Sequence, residues 1–213
     1  MKSQRGVVLL MALILLLLLT MLAISAAGRS LLQERMVGGL RNAQLAEMGA
    51  EAAARGAEWK LWSLSARGLR LDCPSGLLGS CYSFDPVAPN IAVIHFRTST
   101  GWPANADLNA STEYRGDDGA AIDYTTLRGS TLTGESQKIA GLAKNPRYII
   151  ERLGPETPPG VGSQIEGGVT AAYGSSSTPS TSLWVWRITA RSTGGNADTV
   201  RLVESTFAAP GNN

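Results

Sequence analysis

The stretch from Val7 to Gly28, VVLLMALILLLLLTMLAISAAG, contains no charged side chain and only two hydroxyls, Thr20 and Ser25. Nothing else in the chain limits its possible folds so strongly. As a helix rising about 1.5 Å per residue, the run covers the roughly 30 Å hydrocarbon core of a bilayer. A lone segment can satisfy its backbone inside hydrocarbon only as a helix. A short basic leader, MKSQRG, stands in front of it. Lys2, Arg5 and the α-amino group precede the apolar run, which keeps the N-terminus in the cytoplasm and sends the C-terminal residues across the membrane. Arg29, Glu34 and Arg35 on the far side weaken that asymmetry only slightly.

A removable secretory signal has an apolar region of about 7 to 15 residues followed by a small-residue cleavage site. The run here is longer, although SAAG at Ser25 to Gly28 has the residues of such a site. A membrane anchor is the better generic reading. Yet no linker comes after it. RSLLQERMVGGLRNAQLAEMGAEAAARGAEWKLWSLSARG is dense in good helix formers, and the first proline is Pro74. Leu32, Met36, Leu40, Ala43, Ala50, Ala54, Ala57, Leu61 and Leu64 recur at the spacing of one helical face, interrupted by Glu47. The pattern predicts one helix from about Val7 to Arg67, on the order of 90 Å long. It is apolar over 7–28 and amphipathic over 29–67. Gly28 and the Gly38–Gly39 pair are its weak points, each glycine costing about 1 kcal/mol relative to alanine.

Charge excludes one class of partner. Lys and Arg number 19 against 17 acids, and Lys2 and Arg5 are two of the 19. Without them the chain is close to neutral, so no nucleic-acid footprint is expected. Cys73 and Cys81 close the short loop CPSGLLGSC. An extracytoplasmic location favours a disulfide between them, and two unpaired thiols are the alternative.

Residues 68–213 read as one globular region. IAVIHFR, Ile91 to Arg97, is β-branched and aromatic and is expected to be its first strand. It holds the only histidine, His95, with no second ligand or acid at catalytic spacing. Thr98 to Asn145 is turn-rich, a surface insertion or a set of short strands. Asp117, Asp118 and Asp123 lack the alternating ligands and terminal Glu of a calcium loop. Asn109–Ala110–Ser111 matches a glycosylation sequon, a frequent chance occurrence. RYIIERL, Arg147 to Leu153, is a second strand, ended by GPETPPG. GVGSQIEGG has neither a dinucleotide fingerprint nor a P-loop lysine. LWVWRITAR, Leu183 to Arg191, and TVRLVESTFAA, Thr199 to Ala209, form an antiparallel pair across STGGNAD. Trp184, Trp186, Ile188 and Ala190 share the more apolar face. Trp59 and Trp62, near the helix end, are expected to meet Trp184, Trp186 and Ile188 in the core rather than form a carbohydrate platform. No G-x-S-x-G and no histidine pair is present, and no enzyme activity, cofactor or metal is expected.

A basic leader ending in Gly6, about twenty apolar residues straight after it, and a helix running on into an Ala-rich amphipathic half together resemble a type IV prepilin. QRGVVLLMALILLLLLTMLAISAAGRSLLQERMVGGLRNAQLAEMGAEAAARGAE is similar to the N-terminal region of the PilX group of minor pilins, and the C-terminal hairpin also resembles that group. The resemblance implies an α+β pilin-like fold, a long N-terminal helix on a C-terminal antiparallel sheet. It implies residues 1–6 as a leader cut by prepilin peptidase between Gly6 and Val7, and N-methylation of Val7. The implied partners are other minor pilins, the major pilin, the inner-membrane assembly platform and a large tip adhesin. The implied location is the inner membrane before assembly, with the C-terminus periplasmic, and the pilus tip afterwards. Its implied roles are priming assembly, adhesion and twitching motility. In one respect the chain departs from most pilins. The fifth residue counted from Val7 is Met11, where they carry a glutamate that meets the neighbouring subunit's amino terminus, and the tip pseudopilin of type II secretion shares that lack. A tip or initiating position is the consequence, or else Met11 is simply another apolar anchor residue. A minor pseudopilin of a type II secretion system and a plain anchored extracytoplasmic binding domain are the alternatives.

Overall fold

The computed structural model describes residues 5–69, 71–73, 77–116, 121–128, 130–156 and 183–210. Helix α1 runs from Arg5 to Ala66, 62 residues, and stays helical through Gly28, Gly38 and Gly39. The chain divides into two units, residues 1–41 and 42–213. In the first, every described side chain from Val7 to Arg41 is exposed, including Leu32, Met36 and Leu40 of the expected apolar face. Burial begins at Ala46 and keeps the three-and-four spacing through Ala50, Ala53, Ala54, Ala57 and Leu61.

The second unit is built on a five-stranded sheet. Strands β1 (Cys81–Ser83), β3 (Arg147–Pro155), β4 (Leu183–Thr193) and β5 (Val200–Pro210) lie in that order, and β2 (Thr112–Glu113) also pairs with β3. All pairings are antiparallel except β1 with β3, so the sheet is mixed rather than purely antiparallel. β3 continues beyond Leu153 through a register shift between Arg152 and Gly154. β4 and β5 pair over their full length, Leu183 opposite Pro210 through Thr193 opposite Val200.

One face of the sheet carries the main core. Trp186, Ile188 and Ala190 of β4 and Tyr148 and Ile150 of β3 pack with Ala53, Ala54, Ala57 and Leu61 of α1. A stripe of alanines lets the helix backbone come close to the sheet, and the volume they leave is filled by the Trp186 indole, which donates to the Ala209 carbonyl at 3.3 Å. The approach is also close at the β4–β5 turn, where a side chain on Gly194 would collide with the Asn42 backbone.

Ile91–Arg97, expected as a strand, is instead helix α2 (Ile91–Thr98). Two local signals outweigh its β-branched composition. The Asn90 side chain accepts from the Ala92 and Val93 amides at 3.0 and 3.4 Å, closing the first turn. Val93 and Phe96, three apart, then form the buried edge that packs on Ile149, on the sheet face opposite α1. The helix ends where the Arg191 guanidinium donates to the carbonyls of Phe96, Arg97, Ser99 and Gly101. The expected surface insertion contains helix α3 (Asn105–Leu108), β2, an isolated bridge between Asp123 and Arg128, and helix α4 (Gly134–Ala140). Met1–Gln4 of the leader, Pro74 and Gly76 of the cysteine loop, Asp117 and Asp118, and the Gly-, Pro- and Ser-rich stretch 157–182 lie outside the described residues.

Candidate assembly surface

The residues most unlike an ordinary protein surface are those of α1 before Arg41. An 18-residue window of this helix reaches a mean hydropathy of 3.2 with none of it buried, so the helix is long and apolar enough to cross a membrane. Its two hydroxyls are satisfied within the helix, Thr20 donating to the Leu17 carbonyl at 2.8 Å and Ser25 to the Met21 carbonyl at 3.0 Å. Neither therefore presents an unpaired polar group to lipid or to another helix. Gly6, Val7 and Met11 are all part of α1, and the Met11 side chain is exposed. The surface can bury apolar area, and among residues 7–28 it holds no charge that needs a partner.

In the second unit, the residues expected together in the core divide. Trp186 and Ile188 are fully buried, and Trp184 is half-buried beneath the Arg152 guanidinium, 4.8 Å from the ring centre. Trp59 and Trp62 are not in the core: they are 51% and 52% exposed. At about 100° per residue, Ala57 and Leu61 occupy the sheet-facing positions and turn Trp59 and Trp62 toward solvent. Their rings lie against each other at 4.8 Å. Trp59 also lines an open groove of about 540 Å³ with Met48, Arg55, Gly56 and Tyr114.

Cys73 and Cys81 form a disulfide, with Cα atoms 5.2 Å apart. It ties the segment leaving α1 to the start of β1, and Leu71, Leu78 and both cysteines join the main core. The outer face of the sheet is held by charge. Arg97 of α2 bonds Glu204 at 3.1 and 3.2 Å, and Arg187 Nε bonds Glu151 at 2.8 Å. His95 lies on α2, not on a strand, and links it to α3 through Asp107 at 3.2 Å. Burial pushes the Arg147 and Arg191 guanidinium groups below, and the Tyr148 phenol above, their ordinary ranges. The Asp123 carboxyl is held at about 2 by the Thr125 hydroxyl and then the Thr125 amide. No cluster of three or more His, Cys, Asp or Glu suited to a metal occurs among the described residues.

Among the features that sequence reasoning missed, two carried a local signal. One was the outward aromatic pair, although the helical angle between Ala57 and Trp59 carried the signal. The other was the helix at Ile91, signalled by Asn90 and by the Val93–Phe96 spacing. Two family models match the chain. The one for the C-terminal part of the type IV pilus assembly protein PilX covers residues 89–209, and the one for the PilX N-terminal region covers residues 5–55. No curated protein and no solved structure matches it. With an exposed apolar helix joined to an α+β unit, and with more than half of its length matched by the C-terminal model, the chain belongs to the PilX family of type IV pilus proteins.

Proposed function

We propose that this minor pilin primes pilus assembly and occupies the tip, within a complex that serves adhesion and twitching motility. A prepilin peptidase removes residues 1–6 at the cytoplasmic face, and the new amino group of Val7 is methylated. Residues 7–28 then anchor the subunit in the inner membrane, with residues 29–67 and the globular region 68–213 on the periplasmic side. On assembly that helix exchanges lipid contacts for contacts with other minor pilins and the major pilin, delivered through the assembly platform, and a large adhesin caps the complex.

The observation that carries this reading is Met11. A carboxylate in hydrocarbon costs on the order of 2.5 kcal/mol or more unless it is paired. A subunit placed behind another offsets that cost with its neighbour's amino terminus, and one with nothing ahead of it has no such partner. An apolar residue at this position of a PilX-family chain fits the first subunit. Two measurements test it. Mass spectrometry of the mature N-terminus is expected to begin at methylated Val7, and an intact Met1–Gly6 leader rules out the processing step. Met11→Glu is expected to spread the protein along the shaft in immunogold labelling, whereas unchanged labelling and pilus number remove the tip argument. Deleting the gene is expected to abolish surface pili.

A further inference from the structure

We propose that β5 is a strand acceptor: its outer edge, unpaired among the described residues, takes up an extended segment of another pilus protein, which becomes the next strand of the sheet. This role requires membership of a pilus assembly family and does not depend on the tip position proposed above.

The direction of each backbone group in β5 is fixed by two hydrogen bonds. Gly194 N–H donates to the Thr199 carbonyl at 2.8 Å, in line with the pairing of Thr193 opposite Val200. Opposed residues of an antiparallel ladder alternate between bonded and non-bonded pairs. Arg201, Val203, Ser205 and Phe207 therefore turn their N–H and C=O toward β4. Leu202, Glu204, Thr206 and Ala208 turn theirs away from the sheet. The far side of β4 gives the same parity, since Glu156 N–H donates to the Leu183 carbonyl at 2.7 Å, and Leu183 is odd-numbered as the alternation requires. Among the described residues, no backbone group bonds those outward-facing groups, and β5 closes the strand order.

A free edge is ordinarily blunted by shortness, a bulge, charged side chains (lysine above all), or proline within the strand. Of the two charges on β5, Arg201 stands near its start, while the Glu204 carboxylate is held by Arg97. β5 is 11 residues long, pairs with β4 without a register shift, has no lysine, and reaches proline only at its last position. Two of its core-facing side chains are only partly covered by the described residues. Val203 and Phe207 pack against the main core yet remain partly exposed. A strand laid along the edge pairs the outward N–H and C=O groups and places its own alternate side chains beside Val203 and Phe207. Only an extended backbone does both, so the occupant is a segment of about six residues with apolar side chains at alternate positions.

A second copy of this chain is the less fitting occupant. Antiparallel pairing of two β5 edges about a two-fold axis reverses every in-plane direction, including that of α1 residues 42–66. The two Asn42 residues, each beside its own β4–β5 turn, would then lie at opposite ends of the dimer, whereas the chain before both has to reach one face of one membrane.

The test uses the full chain in detergent micelles, alone and co-expressed with the other pilins of its pilus, with hydrogen exchange resolved along β5. In the chain alone, the Leu202, Glu204, Thr206 and Ala208 amides are expected to exchange at least a hundredfold faster than those of Val203, Ser205 and Phe207. In the co-purified complex the first set is expected to slow at least tenfold. Thr206→Pro removes an outward donor and leaves the β4 ladder intact, while Thr206→Ala keeps the donor. The alanine variant is expected to complex normally and restore surface pili to a deletion strain. The proline variant, melting within a few degrees of wild type, is expected to lose the slowing and lower pilus number at least tenfold. Protection of the outward amides in the monomeric chain overturns the proposal, because the chain then covers its own edge. Slowing that tracks self-association assigns the edge to a second copy and overturns it too. So does a Thr206→Pro chain that restores pili or complexes with unchanged slowing, or the absence of any slowing in the complex.

Discussion

At the scale of single residues, four tryptophans of similar sequence prominence do unequal work. Trp186 fills the space above the alanine stripe of α1, and Trp186→Ala is expected to destabilise the domain by about 3 to 5 kcal/mol in chemical denaturation. Trp59 and Trp62 meet mainly each other and the groove, so alanine at either is expected to cost about 1 kcal/mol, well short of the loss at Trp186. Equal losses at Trp59 and Trp186 would contradict the placement. Asp123 gives a pH signature of its own. Its carboxyl pKa, near 2 in the folded chain, lies below the unfolded value of about 3.9. Its contribution is therefore complete above the unfolded pKa and is lost as pH falls through the folded one. The Thr125 amide is expected to lose protection against exchange between about pH 4 and pH 2, and Asp123→Asn to remove that dependence. The Asp123 turn and the outward position of Trp59 and Trp62 have local signals, since an Asx turn needs only two positions and a helical face only the spacing.

The elements show where local legibility ends. α1, β3, β4 and β5 were readable because each has a long, consistent period, and Trp186 and Ile188 sit on the face that alternation assigns them. α2 was misread because Ile91, Val93 and Ile94 satisfy strand composition, and what makes the segment a helix is partly remote. Arg191, 94 positions away from Arg97, reaches across from β4 to collect the carbonyls at the end of α2. No pattern near Ile91 announces that contact. The partly parallel sheet escaped for the same reason, since β1 is three residues long and is located by the disulfide and by β3. Arg191→Ala is expected to cost about 3 kcal/mol, because it leaves four carbonyls without their charged donor. The loss is expected first as faster amide exchange in α2, with the β4–β5 ladder still protected. Simultaneous loss of both would show that α2 is not a separable element.

For the molecule as a whole, membership of a pilus family was legible from the leader and the apolar run, whereas the surfaces used in assembly were not, because they depend on how strands pair and which helix face remains open. The boundary between residues 41 and 42 belongs to this scale. A chain lacking residues 1–29 is expected to melt within a few degrees of the full chain in micelles, since none of the described side chains removed is buried. A large drop would mean that the apolar half supports the fold. That boundary also has a mechanical consequence. Residues 7–28 hold their shape by helical backbone bonds with no described side chain buried, so drawing them from one apolar medium into another breaks no core contact in residues 42–213. The work of extraction is then a difference in solvation along a rod, graded smoothly with depth, and the folded head rides through it without a cooperative transition of its own.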